Sequence, residues 1–241
     1  GLLLTIADTM EDLGMLSGAE APLKEGLAIQ RRVLGDDNEQ TIVAISALGI
    51  LYRAQSRLDL AEPLYRETLE RARRVLGPEH PKTLTAINNL GLLLISRGNA
   101  AEAEKCFRDA LGVRERLSGH DDPSTITTLS NIGLALYRQD KPAEAEPFFK
   151  EALERYRRLK GDDDPATLTC MNNLGGLYRA QGKFEQAEPL FREVLEKRRR
   201  LRGDEHPETL ESVNNLGVLL FSEGKFAESR GDHPGALRRA H

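Results

Sequence analysis

The feature that most constrains this chain is a period of 42 residues. Gly35, Gly77, Gly119, Gly161 and Gly203 recur at that spacing, each after a run of basic and apolar residues and before an acidic loop. Pro81, Pro123, Pro165 and Pro207 keep the same interval, and so do Thr41, Thr83, Thr125, Thr167 and Thr209. The whole unit therefore repeats, loop included. Periods between about 20 and 50 residues belong to arrays of stacked units rather than to one closed core.

Inside a unit the apolar residues follow a helical period. Leu168, Met171, Leu174, Leu177 and Tyr178 form one stripe, and Phe184, Ala187, Leu190, Phe191, Val194 and Leu195 form a second, which predicts two amphipathic helices per unit. Between them stands Gly98, Gly182 or Gly224, with Asp140 and Ser56 in that place in two other units, a position suited to the left-handed residue that closes a helix. The next unit opens on His80, Asp122, Asp164 or His206 directly before its Pro. A side-chain acceptor followed by Pro at the first helical position is a sound helix start. Pro63, Pro147 and Pro189 fall in the second turn of the second helix, where a kink is expected. One unit cannot bury its own apolar face, so neighbouring hairpins must stack.

Composition narrows the functions. Net charge is −4 and basic residues are spread along the 241 residues, so no global field draws nucleic acid or an anionic membrane. The longest apolar stretches, such as residues 90–95, are too short to span a bilayer, and residues 1–6 lack the basic start of a signal peptide. Two cysteines, Cys106 and Cys170, without a Cys-x-x-Cys pair, favour a reducing, cytoplasmic setting. His80, His206 and the run Asp162, Asp163, Asp164 lack the ligand clustering of zinc or calcium sites. Arg71, Arg73, Arg74, Arg155, Arg157, Arg158, Lys160 and residues 197–200 recur at the end of the second helix. There they suit the negative helix pole and pair with Glu67, Glu151 and Glu193, and no aromatic residues lie between the charges to stack on single-stranded bases. No nucleophile–base grouping or phosphate loop can be assembled. The expectation is a non-enzymatic chain with no cofactor or metal.

Met171, Leu174-Gly175, Tyr178, Ala187 and Phe191 match the spacing of the tetratricopeptide pattern, with Met in place of its Trp. Leu48-Gly49, Tyr52, Ala61 and Tyr65 repeat the match, as do Leu90-Gly91, Ala103 and Phe107, and Ile132-Gly133, Ala145 and Phe149. The unit is longer than the family's usual 34 residues, by about two turns most easily placed in the second helix. That form resembles the repeats of kinesin light chain, as do the phrases Asn172-Asn173-Leu174, Gly182-Lys183-Phe184, Ala187-Glu188-Pro189-Leu190 and Gly203-Asp204-Glu205-His206-Pro207. Similar repeats also resemble those of bacterial multidomain proteins.

The resemblance implies an all-α, right-handed superhelical solenoid of antiparallel hairpins over residues 1–228. Its units fall at about 1–40, 41–82, 83–124, 125–166 and 167–208, with a partial one at 209–228 and an irregular tail at 229–241. It also implies a scaffold that holds a peptide or partner protein in a concave groove. The alternative is the regulatory or substrate-docking part of a larger signalling enzyme. Asn89, Asn131, Asn173 and Asn215 occupy one register, broken by Ala47, and Asn is a mediocre helix former. They resemble the family's asparagine ladder on the concave face. An amide can pair with any peptide bond, although the same amides could instead link hairpins. Asn88, Asn172 and Asn214, Thr85, Thr127 and Thr169, and Arg53, Arg138 and Arg179 are expected on the same face. The arginines could take carboxylates bidentately or lie at solvated helix ends.

At the ends, the chain starts with Gly1 inside a helical pattern, as if cut from something longer, and loses its apolar register after Glu228. Arg230-Gly231-Asp232-His233-Pro234 echoes the loop at residues 202–207. Without a following helix, Leu216, Leu219, Leu220 and Phe226 are expected to face water or another molecule. Fraying after about residue 224, or homodimerisation through that end, would follow.

Overall fold

The computed structural model describes residues 18–224, and every regular element among them is an α-helix. The chain divides into two compact units, residues 1–120 and 121–241. The first holds α1 (Glu20–Leu34), α2 (Glu39–Ala54), α3 (Leu58–Leu76), α4 (Pro81–Ser96) and α5 (Ala100–Ser118). The second holds α6 (Pro123–Arg138), α7 (Pro142–Lys160), α8 (Pro165–Ala180), α9 (Phe184–Arg202) and α10 (Pro207–Glu223). Within each unit every helix packs on the next, and α2 also meets α4, α6 meets α8, and α8 meets α10. The first helices α2, α4, α6 and α8 have 16 residues and the second helices α3, α5, α7 and α9 have 19. The second helix of each hairpin is thus about one turn longer than the first.

Local chemistry fixes the hairpins. The turn residues Ser56, Gly98, Asp140 and Gly182 have φ of 58°, 82°, 60° and 72°. The following N–H groups, of Arg57, Asn99, Lys141 and Lys183, reach back to the carbonyls of Tyr52, Leu94, Leu136 and Tyr178 at 2.8–3.1 Å, which closes the helix in a Schellman turn. Asp122 and Asp164 accept backbone N–H groups at the starts of α6 and α8, and Nδ1 of His80 and of His206 does so for α4 and α10. The repeating Thr has a purpose that its spacing alone does not reveal. Thr41, Thr83 and Thr167 each donate a 2.8 Å hydrogen bond to the carbonyl of the loop glycine six residues earlier. The helices run on through Pro63, Pro147 and Pro189.

The Leu-Gly step of the pattern is explained by packing. Tyr65, Phe107, Phe149 and Phe191, all buried, lie on Gly49, Gly91, Gly133 and Gly175, and a Cβ at any of these glycines would come within 2.5–3.0 Å of a ring atom. Glycine there lets the second helix approach the first closely.

Charge joins successive repeats. Arg71, Arg155 and Lys197 pair with Glu67, Glu151 and Glu193 as expected, and a second set reaches further. Arg74 meets Asp37 and Arg116 meets Glu79, while Arg158 lies 2.6 Å from Asp121 and Arg200 2.6 Å from Asp163. Each pair links the end of a second helix to the acidic loop of the preceding repeat. Such exposed pairs contribute only about 0.2–1 kcal/mol each. A tighter cluster recurs three repeats apart. Glu20 holds Lys24 and Arg57 at 2.6 and 2.5 Å and accepts from the Tyr52 hydroxyl at 3.0 Å, and Glu146 binds Lys150, Lys183 and Tyr178 in the same way at 2.6, 3.0 and 3.4 Å. The ammonium of Lys150 beside Glu146, reinforced by Lys183, holds its carboxyl down at about 2. Glu20 is held down at about 2 by Lys24 and Arg57.

One expectation needs correcting. Leu216, Leu219 and Leu220 are buried, at 1%, 0% and 0% exposure. They face inward because α10 packs on α9 and α8, where Arg198 of α9 holds the Glu208 carbonyl and the Ser212 hydroxyl at 2.8 Å. The large apolar residues left exposed on α10 are Leu210, Val218 and Phe221. Phe226, the expected fraying and the tail at 229–241 lie outside the described residues. Among those described, no helix is long and apolar enough to cross a membrane.

Candidate peptide-binding surface

In the second unit the first helices α6, α8 and α10 bring one register together. Asn173 Nδ2 donates to Ser130 Oγ at 3.4 Å, and Asn215 Nδ2 donates to Asn172 Oδ1 at 2.9 Å. Both bonds span 43 residues, so each ladder amide reaches the position just before its own equivalent in the preceding repeat. Part of each amide is therefore spent on holding adjacent first helices in register. An amide offers two donors and an acceptor with two lone pairs, so capacity remains beyond these bonds.

These amides line a concave pocket of about 290 Å³ with Leu134, Tyr137, Arg138, Gly176 and Arg179, backed by Phe149 and Phe191. Of the ten residues singled out from the sequence, Arg138, Asn172, Asn173, Arg179 and Asn215 meet here. Asn131 is half-buried on α6 and Asn214 exposed on α10, and neither lines the pocket. Arg53 on α2 and Asn88 and Asn89 on α4 are half-buried in the first unit. Thr85, Thr127 and Thr169 donate to the carbonyls of Pro81, Pro123 and Pro165 at the starts of their helices. Tyr137 went unnoticed in the sequence although it shares a register with Arg53 and Arg179. Ser130 likewise occupies the register of Asn88, Asn172 and Asn214. Aligning the units by position rather than by residue type finds both.

The pocket's electrostatics differ from those of its surroundings. Its lining carries two guanidinium groups and no carboxylate, on a chain of net charge −4. Most arginines of the second unit are ion-paired, including Arg155, Arg157, Arg158, Arg192, Arg198, Arg199, Arg200 and Arg202. Arg138 and Arg179 make no side-chain hydrogen bond or ion pair among the described residues. They are thus available for an anion, and guanidinium pairs bidentately with carboxylate. Covalent chemistry finds little purchase nearby. Burial pushes the Cys170 thiol up to about 11, leaving it a thiol at neutral pH rather than the reactive thiolate.

Tetratricopeptide repeat sequences match this chain at residues 2–72, 46–116, 85–158, 124–200 and 175–232. The chain belongs to the tetratricopeptide repeat family. No curated protein matches it in sequence. Among solved structures, this tetratricopeptide repeat protein is similar to BtubC (BKLC) from P. vanneervenii, at 23% identity over 90% of this chain and 87% of that one, with a TM-score of 0.70. The kinesin light chain TPR-like repeats of Podosopora anserina align at 18% identity, 83% and 95% coverage and a TM-score of 0.66. NprR, solved with its cognate peptide NprX, aligns at 15% identity over 96% of this chain and 64% of that one, with a TM-score of 0.68. At these identities the similarity speaks to fold, which is that of helical tetratricopeptide arrays of the kinesin light chain type. The fold serves as a scaffold for protein interaction, and the match brings no enzymatic family with it.

Proposed function

We propose that this tetratricopeptide repeat protein is a scaffold that holds an extended peptide segment of a partner in the pocket of its second unit, with a ligand carboxylate on Arg138 and Arg179. The observation that carries the reading is the pairing of two uncommitted guanidinium groups with amides that retain hydrogen-bonding capacity, in a pocket free of acids. The amides would take peptide groups whatever the side chains, and the arginines would select for charge. Similarity of fold to NprR, which was solved with its peptide, supports this mode of use. The basic helix ends that could track a phosphate backbone are largely paired with loop acids, which supports a protein rather than a nucleic-acid partner. The two free cysteines, Cys106 and Cys170, support a reducing, cytoplasmic setting.

The test is a peptide-array or pull-down screen with the wild-type chain beside Arg138→Gln/Arg179→Gln. These side chains have no hydrogen-bond or ion-pair partner among the described residues to lose, so the variant should keep wild-type helicity and melting. A hydrogen bond to a charged group is worth about 1.5–3 kcal/mol, so captured acidic peptides should bind at least ~10-fold more weakly to the double variant. Unchanged capture by the folded variant refutes the pocket as the site.

A further inference from the structure

One register of the first helices changes character in α8. It holds Ile50 on α2, Leu92 on α4, Leu134 on α6 and Val218 on α10, a branched aliphatic residue on every described first helix except α8, where it is Gly176. Neither the backbone nor the packing asks for glycine there. Gly176 lies inside the regular helix Pro165–Ala180, and a Cβ built on it would meet nothing within 4 Å. Its neighbour Gly175 is different, because a Cβ there would come 3.0 Å from the Phe191 ring. Glycine in a helix interior lowers stability relative to an aliphatic residue, so α8 is weakened at Gly176 without any gain in its own packing. What the missing side chain leaves open is the concave pocket of about 290 Å³, which Gly176 lines together with Leu134, Tyr137 and the two uncommitted arginines.

We infer that Gly176 is a specificity-determining notch: the peptide held in this pocket places a branched aliphatic side chain, Leu or Ile, against Gly176 while its carboxylate meets Arg138 and Arg179. The inference rests on the peptide-binding reading above and adds to it the residue that must accompany the acid. Two observations set the size and kind of that residue. Ile50, Leu92, Leu134 and Val218 show what the register holds on the other first helices, so the group that takes its place is aliphatic and of that size. Leu134, Tyr137, Phe149 and Phe191 in the lining give it apolar neighbours, and withdrawing apolar surface from water favours such an occupant. The arginines belong to the same lining. An extended chain advances roughly 3.3 Å per residue, so the aliphatic and acidic residues of the ligand stand within about three positions of each other.

The test is an array of blocked peptides in which one Asp is fixed in an Ala/Ser background and one position within that span is set in turn to Ala, Leu, Ile, Phe, Trp or Lys. At one such position the wild-type chain should bind the Leu and Ile members at least ~10-fold more tightly than the Ala member, as burial of that side chain requires. Gly176→Leu returns to α8 the side chain of its register, in space where a Cβ meets nothing. It should keep or raise the melting temperature and abolish the preference for Leu over Ala, and Gly176→Ala should reduce that preference in part. The inference is overturned if the wild type shows no aliphatic preference at any position or prefers Phe or Trp to Leu. It is also overturned if the folded Gly176 variants keep the preference, or if Gly176→Ala weakens the Leu and Ala members equally. Those results leave the peptide-binding reading in place so long as Arg138→Gln/Arg179→Gln loses capture. Capture that ignores the arginine changes, or no capture of any acidic peptide, refutes that reading and the notch with it.

Discussion

Replacing one repeat glycine and one neighbouring non-repeat glycine by alanine should move stability in opposite directions. Alanine is preferred over glycine in a helix interior by about 1 kcal/mol. At Gly112, exposed on α5, an added Cβ meets nothing within 4 Å, so Gly112→Ala should realise that gain. At Gly91 on α4 the same atom would lie 2.5 and 2.6 Å from Cε1 and Cζ of Phe107, whose side chain is 0% exposed. Carbon atoms in comfortable contact are about 3.5–4.0 Å apart, so the ring must move by about 1 Å inside a packed core. Overpacking of that kind costs roughly 1–3 kcal/mol. Set against the helix gain, Gly91→Ala should be destabilising by about 1 kcal/mol. Urea denaturation followed by circular dichroism measures both variants, and hydrogen exchange of the α4 and α5 amides localises the effect, because stability in such arrays is a sum over neighbouring units. Phe107→Leu in the Gly91→Ala background should cost less than the two changes added separately, by at least ~0.5 kcal/mol of coupling. Gly91→Ala stabilising as much as Gly112→Ala would refute the claim that ring contact is why this register is glycine.

Two further outcomes follow from the geometry. The Glu146 carboxyl is held at about 2, below its ordinary 4.5, first by Lys150 and then by Lys183. A depressed folded value means that its stabilising effect is complete above about 4.5 and lost as the pH falls toward 2. The melting temperatures of wild type and Glu146→Gln should therefore differ at pH 6 and converge near pH 2, and a gap that widens on acidification would contradict the assignment. Gly176 lines the pocket and has space around it, so Gly176→Ala should raise the melting temperature slightly while weakening capture of acidic peptides, whereas a variant equally stabilised and undiminished in binding would show that ligand stays clear of α8.

The repeat period by itself determined the helical hairpins, their turns at Ser56, Gly98, Asp140 and Gly182, and their starts at the His80, Asp122, Asp164 and His206 caps. These are local rules: a left-handed residue closes a helix and a side-chain acceptor opens one, whatever surrounds them. The sequence also singled out five residues of the second-unit pocket, because a register repeated every 42 residues returns to the same face of each first helix. Tertiary structure decided what those residues have left to offer. Which amides bridge adjacent helices, as Asn215 does to Asn172, and which arginines remain uncommitted, as Arg138 and Arg179 do, depends on distances between repeats that no single-helix pattern encodes. The same holds for the salt bridges from Arg158 and Arg200 to loops 37 residues earlier. It holds as well for α10, where the apolar period marked Leu216, Leu219 and Leu220 as an open stripe and packing against α9 buried them. Periodicity reports that a residue is apolar on a helix face; only the neighbouring helices decide which part of that face is covered.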